Sequence, residues 1–169
     1  MRFEWKLFLF AALILSWCSN SAHASTKPVF KIGISEGWAF SLEEKPVFFP
    51  GSTRVAFAII FPVADGISVA VKPRLKIGHA DFKPQPGIIL GAGFKITDRL
   101  TWLVGILYEP NIDYDTGEMK HLISPGTGPS MKITNEISID SSLAIGVNVA
   151  DGVWSLAIVP IEISFKLPW

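Results

Sequence analysis

The nine residues Ile161–Trp169 alternate strictly. Ile161, Ile163, Phe165, Leu167 and Trp169 are large and apolar, whereas Glu162, Ser164, Lys166 and Pro168 lie between them. A period of two sends the two sets to opposite faces of an extended strand; a helix would scatter both around its axis. The same alternation returns in segment after segment, and no helical stripe of useful length appears after residue 25. Hydrophobic residues make up 49% of the chain, which is high for a water-soluble domain with 14 Gly and 12 Pro. These features predict one all-β domain.

The first residues have a different character. Arg2 and Lys6 precede the apolar run Leu7–Leu15, and Ala22-His23-Ala24 supplies a small-x-small ending. This pattern predicts a signal peptide over 1–24 and a mature domain over 25–169. The apolar run is too short to cross a bilayer as a helix, which takes roughly 20 residues. The single cysteine, Cys18, would leave with the signal, so no disulfide is available to the mature fold. Residues 25–169 carry 13 Lys+Arg and 14 Asp+Glu, a balance that points to no polyanionic partner and no nucleic acid.

Eight strands follow from the alternation: 29–42, 54–63, 67–78, 88–96, 100–108, 129–139, 143–150 and 153–169. Asp65-Gly66 reads as a tight turn, and Pro73 as a bulge, because proline has no N–H for the ladder. Glu36 interrupts the apolar row of the first strand, which suggests a bulge there too. The connections alternate in length, with long loops at 43–52, 79–86 and 110–128 and short turns between them. In the last segment, Trp154, Leu156 and Ile158 have the opposite parity to Ile161–Trp169. A bulge near Val159-Pro160 would bring both sets to one face; without it the first set lines the interior.

One face of each strand is apolar over five or six positions. Exposed to water, it would far exceed the few hundred Å2 of apolar patch that a monomer tolerates. In lipid such a face is required, and so is closure of the sheet, because a free edge finds no hydrogen bonds there. A soluble lipocalin-like cup would want the reverse polarity. The aromatics Phe30, Phe61, Phe94 and Trp102 near one end, and Trp38, Phe40 and Tyr108 near the other, match two interfacial girdles. The chain therefore resembles, at class level, the small eight-stranded bacterial outer-membrane β-barrels of the OmpX and OmpA transmembrane type. The resemblance implies a single antiparallel transmembrane barrel in the cell outer membrane with both termini periplasmic. It also implies that Ile161, Ile163, Phe165, Leu167 and Trp169 form the insertion signal read by the outer-membrane assembly machinery.

The other face carries Lys72, Arg74, Lys76, Glu109, Lys132, Glu136 and Glu162, which predict a salt-bridged lumen. An eight-stranded barrel is about as wide as its own side chains, and charges buried there must pair. Basic residues outnumber acidic ones on this face, so a second reading has the rim hold an anion. His79, Asp81 and Ser124 are the residue types of a hydrolase or acyl-transfer site, as in a lipid A-modifying enzyme, but spacing alone carries no geometry. Asp113, Asp115 and Glu118 lack the rest of a calcium loop, and no metal or other cofactor is expected. The expected role is non-enzymatic, either structural or in surface interaction, with outer-membrane lipids and an extracellular partner meeting loops 43–52, 79–86 and 110–128. A binding or transport barrel for an apolar or anionic small molecule is the alternative.

Overall fold

A computed structural model describes residues 27–42, 48–80, 82–150 and 152–168. The expected signal peptide, Asp81 and Trp169 lie outside the described residues. Eight strands run in chain order: β1 Val29–Ser41, β2 Phe48–Ala64, β3 Ile67–Gly78, β4 Pro84–Lys95, β5 Leu100–Ile112, β6 Met119–Lys132, β7 Ile137–Asn148 and β8 Trp154–Lys166. Each pairs antiparallel with its neighbour in sequence, and β1 pairs with β8, so the sheet closes into a barrel as the alternation predicts. The described ends of β1 and β8 lie together with the connections 65–66, 96–99 and 133–136. At the opposite end lie the connection 113–118 and the described residues of the three others, Leu42, 79–80 with 82–83, and 149–150 with 152–153.

Burial is inverted relative to a soluble protein. The buried side chains are mostly polar or charged, with Ala56, Ala58 and Leu107 the buried apolar ones among the described residues. Ile34, Val55, Leu75, Val104, Ile106, Leu143 and Ile163 stand exposed on the outside. Strands of this length exceed the roughly 9–11 residues that a tilted strand needs to cross a bilayer. They therefore project beyond it.

Several expectations about the strands are corrected. The segment 110–128 is mostly strand: β5 runs on to Ile112, β6 begins at Met119, and 113–118 is all that remains as a connection. Residues 140–142 lie inside β7, and the chain reverses instead at 133–136. The Ser-Pro-Gly-Thr-Gly-Pro-Ser run 124–130 looks like a loop by composition, yet it alternates small inward residues with outward Pro125, Thr127 and Pro129. Pro125 and Pro129 fall at the two gaps of the β6–β7 ladder, whereas the β5–β6 ladder is continuous. The missing N–H groups are thus confined to one seam. Gly128 is needed on that seam, because a Cβ there would overlap the Ser141 carbonyl.

Loops 43–52 and 79–86 shorten in the same way, since β2 starts at Phe48 and β4 at Pro84. In β4 the prolines at 84 and 86 face outward and Gln85 points in. Its side-chain amide donates to the Ile112 carbonyl at 2.8 Å and accepts from the Ile112 N–H at 2.8 Å. A side chain here takes over hydrogen bonding to the β5 backbone that the proline-flanked main chain supplies poorly.

The bulges also move. Pro73 interrupts the β2–β3 ladder without shifting it, since Ala56↔Arg74 and Ile59↔Val71 share one register. The expected bulge at Glu36 is absent from β1; its partners carry the shifts instead. One of these is the bulge at Val159-Pro160. Glu162 pairs with Asp140 and Val159 with Ser142, so one residue of β8 is extra. Trp154, Leu156 and Ile158 consequently share the outer face with Ile161, Ile163 and Phe165.

Candidate functional site

The lumen is crossed by one layer of charge. Glu109 on β5 is 0% exposed and accepts from both Arg74, at 2.5 Å, and Lys76 on β3. Lys72, one inward position below Arg74, pairs with Glu162 on β8. Ser164 Oγ, 3.1 Å from Glu162 Oε1 and 3.2 Å from Asp140 Oδ2, links this pair to Asp140, which also accepts from Ser130 at 2.5 Å. Lys31 donates to Ser138 at 2.8 Å. Two-residue alternation aims all these groups inward, and the narrow barrel brings them into reach across it.

Two expected members of the network stand apart. Glu136 is exposed in the turn 133–136, with Thr134 Oγ1 donating to its carboxylate at 3.1 Å, because β7 starts one residue later than Glu136. Lys132 points inward by parity but is exposed at the end of β6 and forms no ion pair among the described residues. Three further members, Arg54, Lys31 and Asp140, were not expected in the layer. Parity places Arg54 inside β2, but only the register shows it level with Lys76.

The layer has small neighbours by necessity. A Cβ at Gly37 would overlap the Arg54 guanidinium, and one at Gly33 would lie 2.6 Å from Glu162 Oε1. Below the layer lies a cavity of about 190 Å3, and above it one of about 410 Å3.

A second polar cluster sits on the outer face, towards the end opposite the termini. Glu36 on β1 accepts from Thr53 Oγ1 on β2 at 2.5 Å; His79 Nε2 lies 3.0 Å from that hydroxyl and 3.2 Å from Glu36 Oε2. Hydroxyl and carboxylate thus meet the same ring nitrogen. A nucleophile–base–orienter relay needs them on opposite nitrogens, so this is a polar clasp between β1, β2 and the turn that follows β3. The expected trio does not assemble. Ser124 is buried in the lumen while His79 is exposed outside, and Asp81 lies outside the described residues.

Each girdle aromatic faces outward by strand parity. Phe30 stacks on Phe57 at 6.1 Å, and Phe40 tilts against Phe48 at 5.1 Å. The Tyr108 hydroxyl lies 2.8 Å from His121 Nδ1, and Trp102 Nε1 donates to Thr127 at 2.7 Å. Trp38, Phe94, Ile161, Ile163 and Phe165 are exposed. Phe61 and Leu167 are half-buried.

No family profile matches the chain, and no characterised protein matches it in sequence. Solved structures do resemble it. Ail, the attachment invasion locus protein of Yersinia pestis, superposes with a TM-score of 0.56 at 13% identity, covering 84% of this chain and 100% of that one. Neisserial surface protein A gives a TM-score of 0.57 at 12% identity, again covering 84% of this chain and 100% of the other. The fold is that of the small eight-stranded outer-membrane β-barrels. Ail has also been solved with the heparin analogue sucrose octasulfate, and that structure superposes with a TM-score of 0.55 at 12% identity. At this level of identity the barrel fold is what these proteins share with the present chain.

Proposed function

We propose that this protein is a non-enzymatic integral barrel of the outer membrane whose role is structural or in surface interaction, with both termini periplasmic. The observation that carries it is the ionic layer of Arg74, Lys76 and Glu109 with Lys72 and Glu162 across the lumen. A barrel crossed by paired charges at mid-height is no open pore, which leaves its rim for contact with other molecules. The apolar outer belt supports a lipid environment, and β8 supports contact with assembly machinery through its row of Ile161, Ile163 and Phe165. Two of the similar barrels are, by their names, an attachment protein and a surface protein. The working rim comprises the connections 42–47, 79–83, 113–118 and 149–153.

Two measurements test this. Glu118→Cys in a Cys18→Ser background should react with an impermeant thiol reagent on intact cells; labelling only after lysis would invert the topology. Pure protein in planar bilayers should show no steady conductance. Robust ion currents would favour the transport reading instead.

A further inference from the structure

Arg54 is 6% exposed, and its Nε and Nη1 have no hydrogen-bond partner among the described residues. It forms no ion pair among the described residues, although the like charge of Arg74 and the opposite charges of Glu109, Glu162 and Glu36 all act on it through space. A guanidinium does not escape burial by losing its proton, and a buried charge without a partner is costly. The layer around it carries five cations, Arg54, Lys31, Lys72, Arg74 and Lys76, against three carboxylates, Glu109, Glu162 and Asp140. The surplus is positive; Arg74 Nε is also without a hydrogen-bond partner, but Arg74 is ion-paired with Glu109 through Nη2, whereas Arg54 forms no ion pair among the described residues.

Arg54 is also the one described residue that lines both lumen cavities. The lower cavity, about 190 Å3, is walled chiefly by apolar groups, among them Ala56, Ala70, Ile89, Leu107, Ala144 and Val159. An engineered apolar cavity of about 150 Å3 takes benzene. The space beneath Arg54 thus suits a chain or ring of roughly six carbons. A cation at the head of an apolar shaft is complementary to an anion with an apolar body.

We propose that the lumen binds a small carboxylate with a short apolar tail, its carboxylate on Arg54 and its tail in the cavity below. The carboxylate supplies a bidentate acceptor to a fork of donors that is otherwise unmet. The tail fills a space lined by side chains too small to fill it themselves. This site goes beyond the surface role proposed above and stands whether or not that role holds, since it depends only on the barrel interior.

Calorimetric titration of the refolded protein in lipid nanodiscs tests it, with hexanoate as probe and hexanol, acetate and chloride as comparisons. Hexanoate should bind saturably at one site, at least tenfold more tightly than acetate or chloride, whereas hexanol should only partition into lipid. Arg54→Gln should weaken hexanoate at least tenfold, and Arg99→Gln, in the exposed turn 96–99, should leave it unchanged. Should Arg54→Gln fail to fold, Ala144→Leu keeps the guanidinium and fills the cavity; it should abolish the advantage of hexanoate over acetate. Absence of saturable binding, survival of hexanoate binding in Arg54→Gln, or chloride binding as tightly as hexanoate would each overturn the proposal.

Discussion

Lys72 on β3 is ion-paired with Glu162 on β8, although β2 and β1 stand between their strands in the barrel wall. The pair therefore spans the lumen rather than following the sheet. Arg74 and Lys76 do the same towards Glu109, reaching past β4 to β5. From one strand, three successive inward cations grip two different walls. This arrangement couples β3 to β5 and β8 independently of the backbone ladder.

Glu109 should be the most sensitive member of the layer, because one fully buried carboxylate serves two cations. Glu109→Gln leaves both incompletely compensated and should cost about 3–5 kcal/mol, the usual penalty for breaking a buried pair from one side. Glu118→Gln, in an exposed connection, should change stability by less than about 0.5 kcal/mol. Urea unfolding of both variants in lipid vesicles checks the contrast; equal midpoints would remove the layer's structural role.

The β8 bulge turns Ile158 towards lipid. An arginine there should destabilise the barrel by about 2–4 kcal/mol if the residue lies near mid-membrane, and by less nearer the interface. Had the bulge been absent, Ile158→Arg would have faced a polar lumen. A variant as stable as the parent in the same unfolding experiment would contradict the observed register.

Asp113 closes the connection between β5 and β6, accepting from the N–H groups of Asp115 at 2.9 Å and Thr116 at 3.2 Å. Those two donors hold its carboxyl below the ordinary value of 3.8. Such a group contributes to the turn fully above the unfolded value and loses that contribution as pH falls through the lowered folded value. The amide resonances of Asp115 and Thr116 should accordingly hold steady around neutral pH and move only in the acid range, as Asp113 takes up its proton. Movement between pH 5 and 7 would show that the turn is not held by this carboxylate.

Deletion of Trp169 should sharply reduce the amount of folded protein in the outer membrane. The apolar row Ile161, Ile163 and Phe165 faces outward along β8, and Trp169 continues that parity in the sequence. Undiminished insertion of the variant, measured by heat-modifiable mobility of membrane fractions, would refute a signalling role for Trp169.

Alternation alone determined the eight-stranded class, the inverted polarity and the inward aim of Lys72, Arg74, Glu109 and Glu162, because side-chain direction in a strand is a local property with period two. Proline and glycine misled at 124–130, where local composition reads as loop. The barrel accommodates that run because its small residues face a narrow interior and its prolines fall on one interrupted seam. Which inward groups meet was beyond any local pattern. Register sets height, so it excluded Glu136 from the lumen, drew in Asp140, and set Arg54 level with Lys76. Closure then decided which opposite walls come within reach. The Glu36–Thr53–His79 clasp and the unpaired guanidinium of Arg54 arise the same way, from residues that become neighbours only when separate strands align.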